Sequence, residues 1–204
     1  MARGKFITFE GIDGAGKTTQ IEALHRFLLE HGITVVRTRE PGGTPLGEKI
    51  RAMLLNDDMG VQAETLLFFA SRAEHLRRVI LPAIERGDWV LSDRFTDATY
   101  AYQVGGKGYC AEAVLQLEAI VQNGFQPDKT VLFDLAPETA ARRLALSRTA
   151  DRFETLDCSF FERVRNAYLR RAAEDPRRFL TLDAELAPEA ITTRLLEQAQ
   201  EWIR

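Results

Sequence analysis

The chain has 204 residues, of which 45% are hydrophobic and 28% charged, enough for one compact core and short for two. Its 27 Lys and Arg against 30 Asp and Glu leave a formal charge of −3, which excludes a general grip on nucleic-acid backbone and requires any anionic ligand to meet locally focused cations. Two cysteines, Cys110 and Cys158, exclude a disulfide framework or a C-x-x-C metal site, and no run approaches the roughly 18 apolar residues of a membrane span. The apolar stretch behind Arg3 and Lys5 stops at Glu10, too short for a signal-peptide core, so a reducing, cytoplasmic setting is expected, with no membrane partner.

In chain order, Phe6 to Glu10 reads as a buried strand, and Ile21, Leu24, Phe27 and Leu28 follow at helical spacing up to Gly32. Thr34 to Arg37 is a second strand. Leu66 to Arg86 is a helical stretch closed by Gly87, with a kink expected at Pro82. Trp89 to Ser92 is the third strand, and Ala113 to Val121 a helix stopped by Asn123-Gly124. Thr130 to Leu135 is the fourth strand, with Pro137 placed to open a helix. Phe160 to Ala173, the strand Phe179 to Asp183 and a last helix from Pro188 to Arg204 complete the pattern. Five strands alternating with helices predict an α/β fold: a parallel sheet covered on both faces, with residues 1–204 as a single domain.

Directly after the first strand, Gly11-Ile12-Asp13-Gly14-Ala15-Gly16-Lys17-Thr18 matches G-x-x-x-x-G-K-[ST] and opens an amphipathic helix. Its glycines let successive N–H groups point inward, the helix N-terminus adds partial positive charge, Lys17 reaches β and γ phosphates and Thr18 offers a hydroxyl to Mg²⁺. ATP-type phosphate binding follows. A GTPase would carry Asn-Lys-x-Asp after a late strand, and none of Asn56, Asn123 or Asn166 precedes Lys. A motor ATPase would need a partner-facing segment for which little chain remains.

The third strand delivers Asp93-Arg94 to the sheet edge where ligands of open parallel sheets bind, the first suited to the Mg²⁺ shell and the second to bidentate phosphate contact. Arg39-Glu40-Pro41-Gly42-Gly43 follows the second strand, and Arg51 lies on the helix after it. Phe68 and Arg72, four apart, share a helix face. Spacing alone leaves both core packing and base stacking open for Phe68, while Phe69 reads as core.

Taken together, Phe9 to Thr19, Thr38 to Gly43, Phe68-Phe69-Ala70-Ser71-Arg72, Asp93-Arg94, Ala101-Tyr102-Gln103 and Asp151-Arg152-Phe153-Glu154 resemble the thymidylate kinase family in order and spacing over nearly the whole chain. The resemblance implies the fold of P-loop nucleoside monophosphate kinases, a three-layer arrangement on a five-stranded parallel sheet. It also implies transfer of the ATP γ-phosphoryl group to dTMP with Mg²⁺, and commonly a homodimer. Position by position, it implies that Asp13 meets the acceptor sugar hydroxyl, Phe68 stacks on thymine, Arg72 donates to a thymine carbonyl and Gln103 partners ring N3. Arg51 and Arg94 hold the acceptor phosphate, Thr99 lines the pocket, and Arg39 and Tyr102 belong to the same acceptor motifs. Ala98 departs from the family, whose members often carry Ser, which leaves Thr99 to supply the hydroxyl.

Residue 14 is Gly, so the phosphate loop holds no arginine between its glycines and transition-state charge must be met from elsewhere. The bacterial branch of the family supplies it from a lid, here about residues 147–157, which assigns the role to Arg148 and Arg152, with Arg143 toward adenine. Two alternatives stay open: another P-loop kinase such as a deoxynucleoside kinase, and an ATP-binding regulatory module without phosphoryl transfer.

Overall fold

The computed structural model describes residues 3–144 and 157–204. Five parallel strands, β1 (Phe6–Glu10), β2 (Val35–Arg39), β3 (Trp89–Asp93), β4 (Lys129–Asp134) and β5 (Phe179–Asp183), form one sheet in the order β2-β3-β1-β4-β5. The central strand β1 is buried at every residue, which is why it reads as a nearly continuous apolar run, whereas the edge strands β2 and β5 are half-exposed. Period-two alternation splits the core. Ile7, Phe9 and Leu91 pack with Leu24, Leu28 and Leu195, while Phe6 and Val90 face Leu76, Ile80 and Ile84. The expected three layers are therefore present.

The helices are α1 (Lys17–Glu30), α2 (Pro45–Asn56), α3 (Val61–His75), α4 (Leu81–Arg86), α5 (Thr96–Thr99), α6 (Ala111–Gln122), α7 (Pro137–Leu144), α8 (Cys158–Glu174) and α9 (Pro188–Ile203). Three differ instructively from expectation. α3 starts five residues before Leu66, because the buried side chains of its first turn, Glu64 and Thr65, are polar and carry no hydropathy signal. The interruption expected at Pro82 takes the form of a π-helical turn over Leu76–Ile80, whose wider spacing makes room ahead of a residue that lacks an N–H and crowds the preceding turn. A second π-helical segment, Tyr100–Gly106, continues α5. It carries no 3.6-residue apolar period, so the sequence does not announce a helix there.

The chain turns to β2 and β3 on one side of β1 and to β4 and β5 on the other, so β1 borders the switch point at which ligands of such sheets bind. Phe9 pairs in register with Asp93. That register sets the end of β3 level with the phosphate loop.

Candidate active site

Residues 11–18 join β1 to α1. A Cβ on Gly11 would sit 2.6 Å from the Phe133 carbonyl oxygen, at a φ of +134°, so only glycine lets the loop pass β4. Ile12 and Ala15 turn into the core and anchor the loop. α1 opens on Gly16, with no capping side chain and no acidic residue in its first turn, which leaves its leading N–H groups and dipole to an anion. The Lys17 ammonium is 7% exposed, donates to the carbonyls of Gly11 at 3.2 Å and Ile12 at 3.3 Å, and lies 3.8 Å from Asp13. Burial and then Arg94 lower its pKa, against the pull of Asp93, Asp13 and Glu10. A desolvated cation beside an uncapped helix N-terminus suits a polyphosphate. A groove of about 1080 Å³ opens there, lined by Asp13, Gly14, Gly16, Lys17 and Thr18 of the loop together with Arg39, Glu40, Arg51, Asp93, Arg94 and Arg143. Arg143 spans from the Gly14 carbonyl at 3.4 Å to that of Ala184 at 3.0 Å.

Asp93 ends β3 with its Oδ1 buried and without a hydrogen-bond partner among the described residues. An orphaned carboxylate oxygen is costly unless something binds it. Asp93 and Thr18 line the same groove, and no cluster of three His, Cys, Asp or Glu occurs among the described residues. One carboxylate and one hydroxyl beside a phosphate site suit Mg²⁺, which keeps several waters and takes its remaining oxygens from phosphates. The residues therefore fit the ion.

Arg94 stands at φ +71°, a left-handed backbone costly for a side chain with a Cβ. Its guanidinium is over-determined: Nη2 donates to Asp13 Oδ1 and the Tyr102 hydroxyl at 3.0 Å each, and Nη1 to the Tyr168 hydroxyl at 3.0 Å. Tyr168 in turn donates to Glu10 Oε2 at 2.7 Å, and the Phe95 amide donates to Glu10 Oε1 at 2.7 Å. Burial and then Asp97 push the Glu10 carboxyl up to about 8, against Arg94, Tyr168 and the Phe95 amide.

A second cleft, about 700 Å³, adjoins the groove. Its walls include Asp13, Arg51, Phe68, Arg72, Arg94, Thr99, Tyr102 and Gln103, with Glu40, Leu54, Phe95 and Ala98. Phe68 is half-buried at the cleft, whereas its neighbour Phe69 is core. Arg72 is 1% exposed, donates through Nε to Glu40 at 2.8 Å and through Nη2 to the Thr99 hydroxyl at 3.2 Å, and keeps Nη1 without a partner among the described residues. His75 shares Glu40, its Nδ1 lying 2.9 Å from Oε1. Asp13, Glu40, Arg51 and Arg94 belong to both the groove and the cleft, so the two meet at these four side chains.

Comparison with known proteins bears on this pair of joined sites. A profile of the thymidylate kinase family matches residues 9–195. The chain belongs to the thymidylate kinase family. It is 58% identical over 192 residues to the thymidylate kinase of Ralstonia nicotianae, covering 92% of this chain and 94% of that protein. Identity is 57% over 199 residues to that of Burkholderia vietnamiensis, covering 96% and 97%. The crystal structure of thymidylate kinase from Ehrlichia chaffeensis superposes with a TM-score of 0.79 at 33% identity, covering 97% of this chain and 99% of that one. The fold is that of the P-loop nucleoside monophosphate kinases, and the chain is a nucleotide kinase.

Within this thymidylate kinase family member, Arg39, expected among the acceptor residues, stands apart from the second cleft: it is exposed, lines the groove and pairs with Glu48 at 2.9 Å. Arg148 and Arg152 lie outside the described residues. Sequence reasoning assigned no role to Glu40, Glu64 and Tyr168, buried partners of Arg72, Gln103 and Arg94, nor to Glu10, which Tyr168 joins to that set. A usable signal existed for Glu64, which precedes Phe68 and Arg72 at four-residue steps on one face of α3.

Proposed function

We propose that the chain phosphorylates dTMP to dTDP with ATP as donor, by direct in-line transfer, in the supply of dTTP. The observation that carries this reading is the junction of groove and cleft at Asp13, Glu40, Arg51 and Arg94. A donor tail on the loop amides and a monophosphate in the cleft would meet there end to end. The acceptor oxygen is already ionised at neutral pH, so no strong general base is needed. Catalysis is then positioning and charge neutralisation. Lys17 takes the donor phosphates, with Arg143 on the adenine side; Arg94 and Arg51 hold the acceptor phosphate; Phe68, Arg72, Thr99, Tyr102 and Gln103 receive sugar and base. Arg148 and Arg152 are assigned the equatorial charge of the transferring group. Thr18 and Asp93 would hold Mg²⁺, which supplies charge neutralisation to the phosphates when bound.

Leu66 on α3 and Leu115 and Ile120 on α6 are exposed, Ile120 at 77%, on helices that pack together, which supports a homodimer through that face. Both cysteines are free and exposed, as suits a cytoplasmic enzyme, and residues 1–204 are taken to act as one kinase unit. Among the described residues no helix is long and apolar enough to cross a membrane.

A coupled assay with ATP and a panel of nucleoside monophosphates tests the reading: turnover is expected to be highest with dTMP. Preference for AMP, GMP or CMP overturns the substrate and keeps the kinase class. Phosphorylation of thymidine but not dTMP reassigns the chain to deoxynucleoside kinases.

A further inference from the structure

Two stripes of side chains face one another across the acceptor cleft. On α3, Glu64, Phe68 and Arg72 follow at four-residue steps. On the segment from α5 onward, Thr99, Gln103 and Lys107 do the same. The stripes are cross-linked at both ends. Arg72 donates to Thr99 at 3.2 Å, while Glu64 Oε1 accepts from the Gln103 amide nitrogen at 3.0 Å and both Glu64 oxygens accept from the Lys107 ammonium at 2.7 and 2.6 Å. Glu64 is fully buried and Gln103 is 1% exposed.

A primary amide has a donor end and an acceptor end of nearly equal shape, so its orientation is decided by its neighbours. The Glu64 carboxylate, paired with Lys107, is acceptor-only. A flipped Gln103 would set two acceptor oxygens about 3 Å apart in a dry interior, with no proton between them. The end left to a ligand is therefore the carbonyl oxygen, an acceptor in a cleft whose lining also includes Arg72, with its unpartnered Nη1 donor. An acceptor and a donor in one cleft complement an N3–H and a C4 carbonyl, and oppose the bare N3 and 4-amino group of cytosine.

We propose that Glu64, held by Lys107, is the positioning residue that fixes which end of the Gln103 amide meets the base, and so restricts the acceptor to pyrimidines that carry a proton on N3. This rests on the reading of the cleft as a pyrimidine monophosphate site. Glu64 does not touch the base. In Glu64→Gln, Lys107 retains the new carbonyl oxygen, the new NH2 group faces Gln103, and Gln103 turns its own oxygen inward and its nitrogen toward the base.

The test uses the full chain with ATP, and compares kcat/KM for dTMP, dUMP, dCMP and N3-methyl-dTMP. In the parent enzyme kcat/KM for dTMP is expected to far exceed that for dCMP and N3-methyl-dTMP. Glu64→Gln is expected to lower the dTMP to dCMP ratio at least about tenfold, partly through a lower absolute KM for dCMP, with kcat and the KM for ATP within about twofold. The dTMP to dUMP ratio stays constant, since both bases carry the same edge, and Glu64→Asp restores the parental dTMP to dCMP ratio. Parallel loss on dTMP and dCMP overturns the proposal, because that is the signature of a merely structural carboxylate. Should Glu64→Gln not fold, Glu64→Met carries the same test: without the acceptor the Gln103 amide is free to present either end, so the ratio falls, and an unchanged ratio overturns the proposal. If the parent enzyme uses N3-methyl-dTMP as readily as dTMP, the underlying reading of Gln103 fails instead.

Discussion

The Nη2 atom of Arg94 donates to Asp13 Oδ1 at 3.0 Å, joining the residue after β3 to the middle of the phosphate loop. The same guanidinium reaches the hydroxyls of Tyr102 and Tyr168, so four elements are positioned by one planar group. Its backbone carries a φ of +71°, strain retained at the point where groove and cleft join. Side-chain role and backbone strain separate by substitution. Arg94→Ala and Arg94→Gly both lose the clamp, and kcat/KM for dTMP is expected to fall by about 10² or more in each. Only Gly relieves the left-handed backbone, so Arg94→Gly should be more stable to urea than Arg94→Ala by about 1 kcal/mol. Arg94→Lys keeps the charge without the fork and should recover little of the rate. An Arg94→Ala enzyme within tenfold of the parent would remove Arg94 from the acceptor site.

The orphaned Oδ1 of Asp93 leads to a prediction about metal dependence. Asp93→Asn preserves shape while replacing one carboxylate oxygen by a donor, which cannot face a cation. The Mg²⁺ concentration for half-maximal activity is expected to rise at least about tenfold, whereas the melting temperature without nucleotide stays equal or rises. A magnesium titration at saturating substrates checks this. An unchanged midpoint would assign the buried oxygen to something other than the ion.

Glu10 makes the pH dependence of folding specific. Its carboxyl is raised to about 8 in the folded chain, chiefly by burial, against an ordinary 4.5. Between these values the folded chain holds a proton that the unfolded chain has released. Stability from this group is thus fully present below about 4.5 and is lost as pH rises toward 8, at up to about 1.4 kcal/mol per pH unit. Glu10→Gln cannot ionise, and its urea-unfolding free energy should change less steeply between pH 5 and 8 than the parent's. Equal slopes in the two proteins would show that Glu10 is ionised throughout, held by the Tyr168 and Phe95 donors.

Legibility in the sequence followed the range over which each feature is encoded. The loop of residues 11–18 and the Asp93-Arg94 pair are local: glycines, a lysine and strand ends mark them without tertiary knowledge. The five strands and their parallel arrangement were legible for the same reason, since apolar β-type runs alternate with helical ones. Phe68 and Arg72 were visible as a four-residue repeat, but whether that face met core or cleft depended on the helical segment at residues 96–106 that lies opposite. That segment was hidden because a π-helical turn breaks the apolar period. The buried carboxylates were harder still. Glu10 meets Tyr168 across 158 residues, and Glu40 meets Arg72 across 32, separations at which no spacing rule operates. The hydroxyl of Thr99, a residue of the cleft wall, accepts a hydrogen bond from Arg72 across 27 residues, again beyond any spacing rule.

Lys17 offers a test in which stability and function move apart. Its ammonium is buried and its pKa depressed, first by desolvation and then by Arg94, so at neutral pH the folded chain bears the cost of a charge only partly compensated by carbonyls and nearby acids. The sign is opposite to that of Glu10: here the unfolded chain binds the proton more tightly, and the cost lessens as pH rises toward the ordinary lysine value. A polyphosphate bound at the loop would supply the missing counter-charge, and stabilisation by ATP is expected to be large in the parent. Lys17→Met removes charge and cost together. It is expected to melt at or above the parental temperature without nucleotide, to lose most of the shift induced by ATP, and to fall by about 10² or more in kcat. Thermal melts with and without ATP, beside the coupled assay, separate these effects. A variant that melts lower yet keeps its ATP-induced shift would mean that Lys17 secures the loop through its carbonyl contacts and leaves the donor phosphates to the backbone amides.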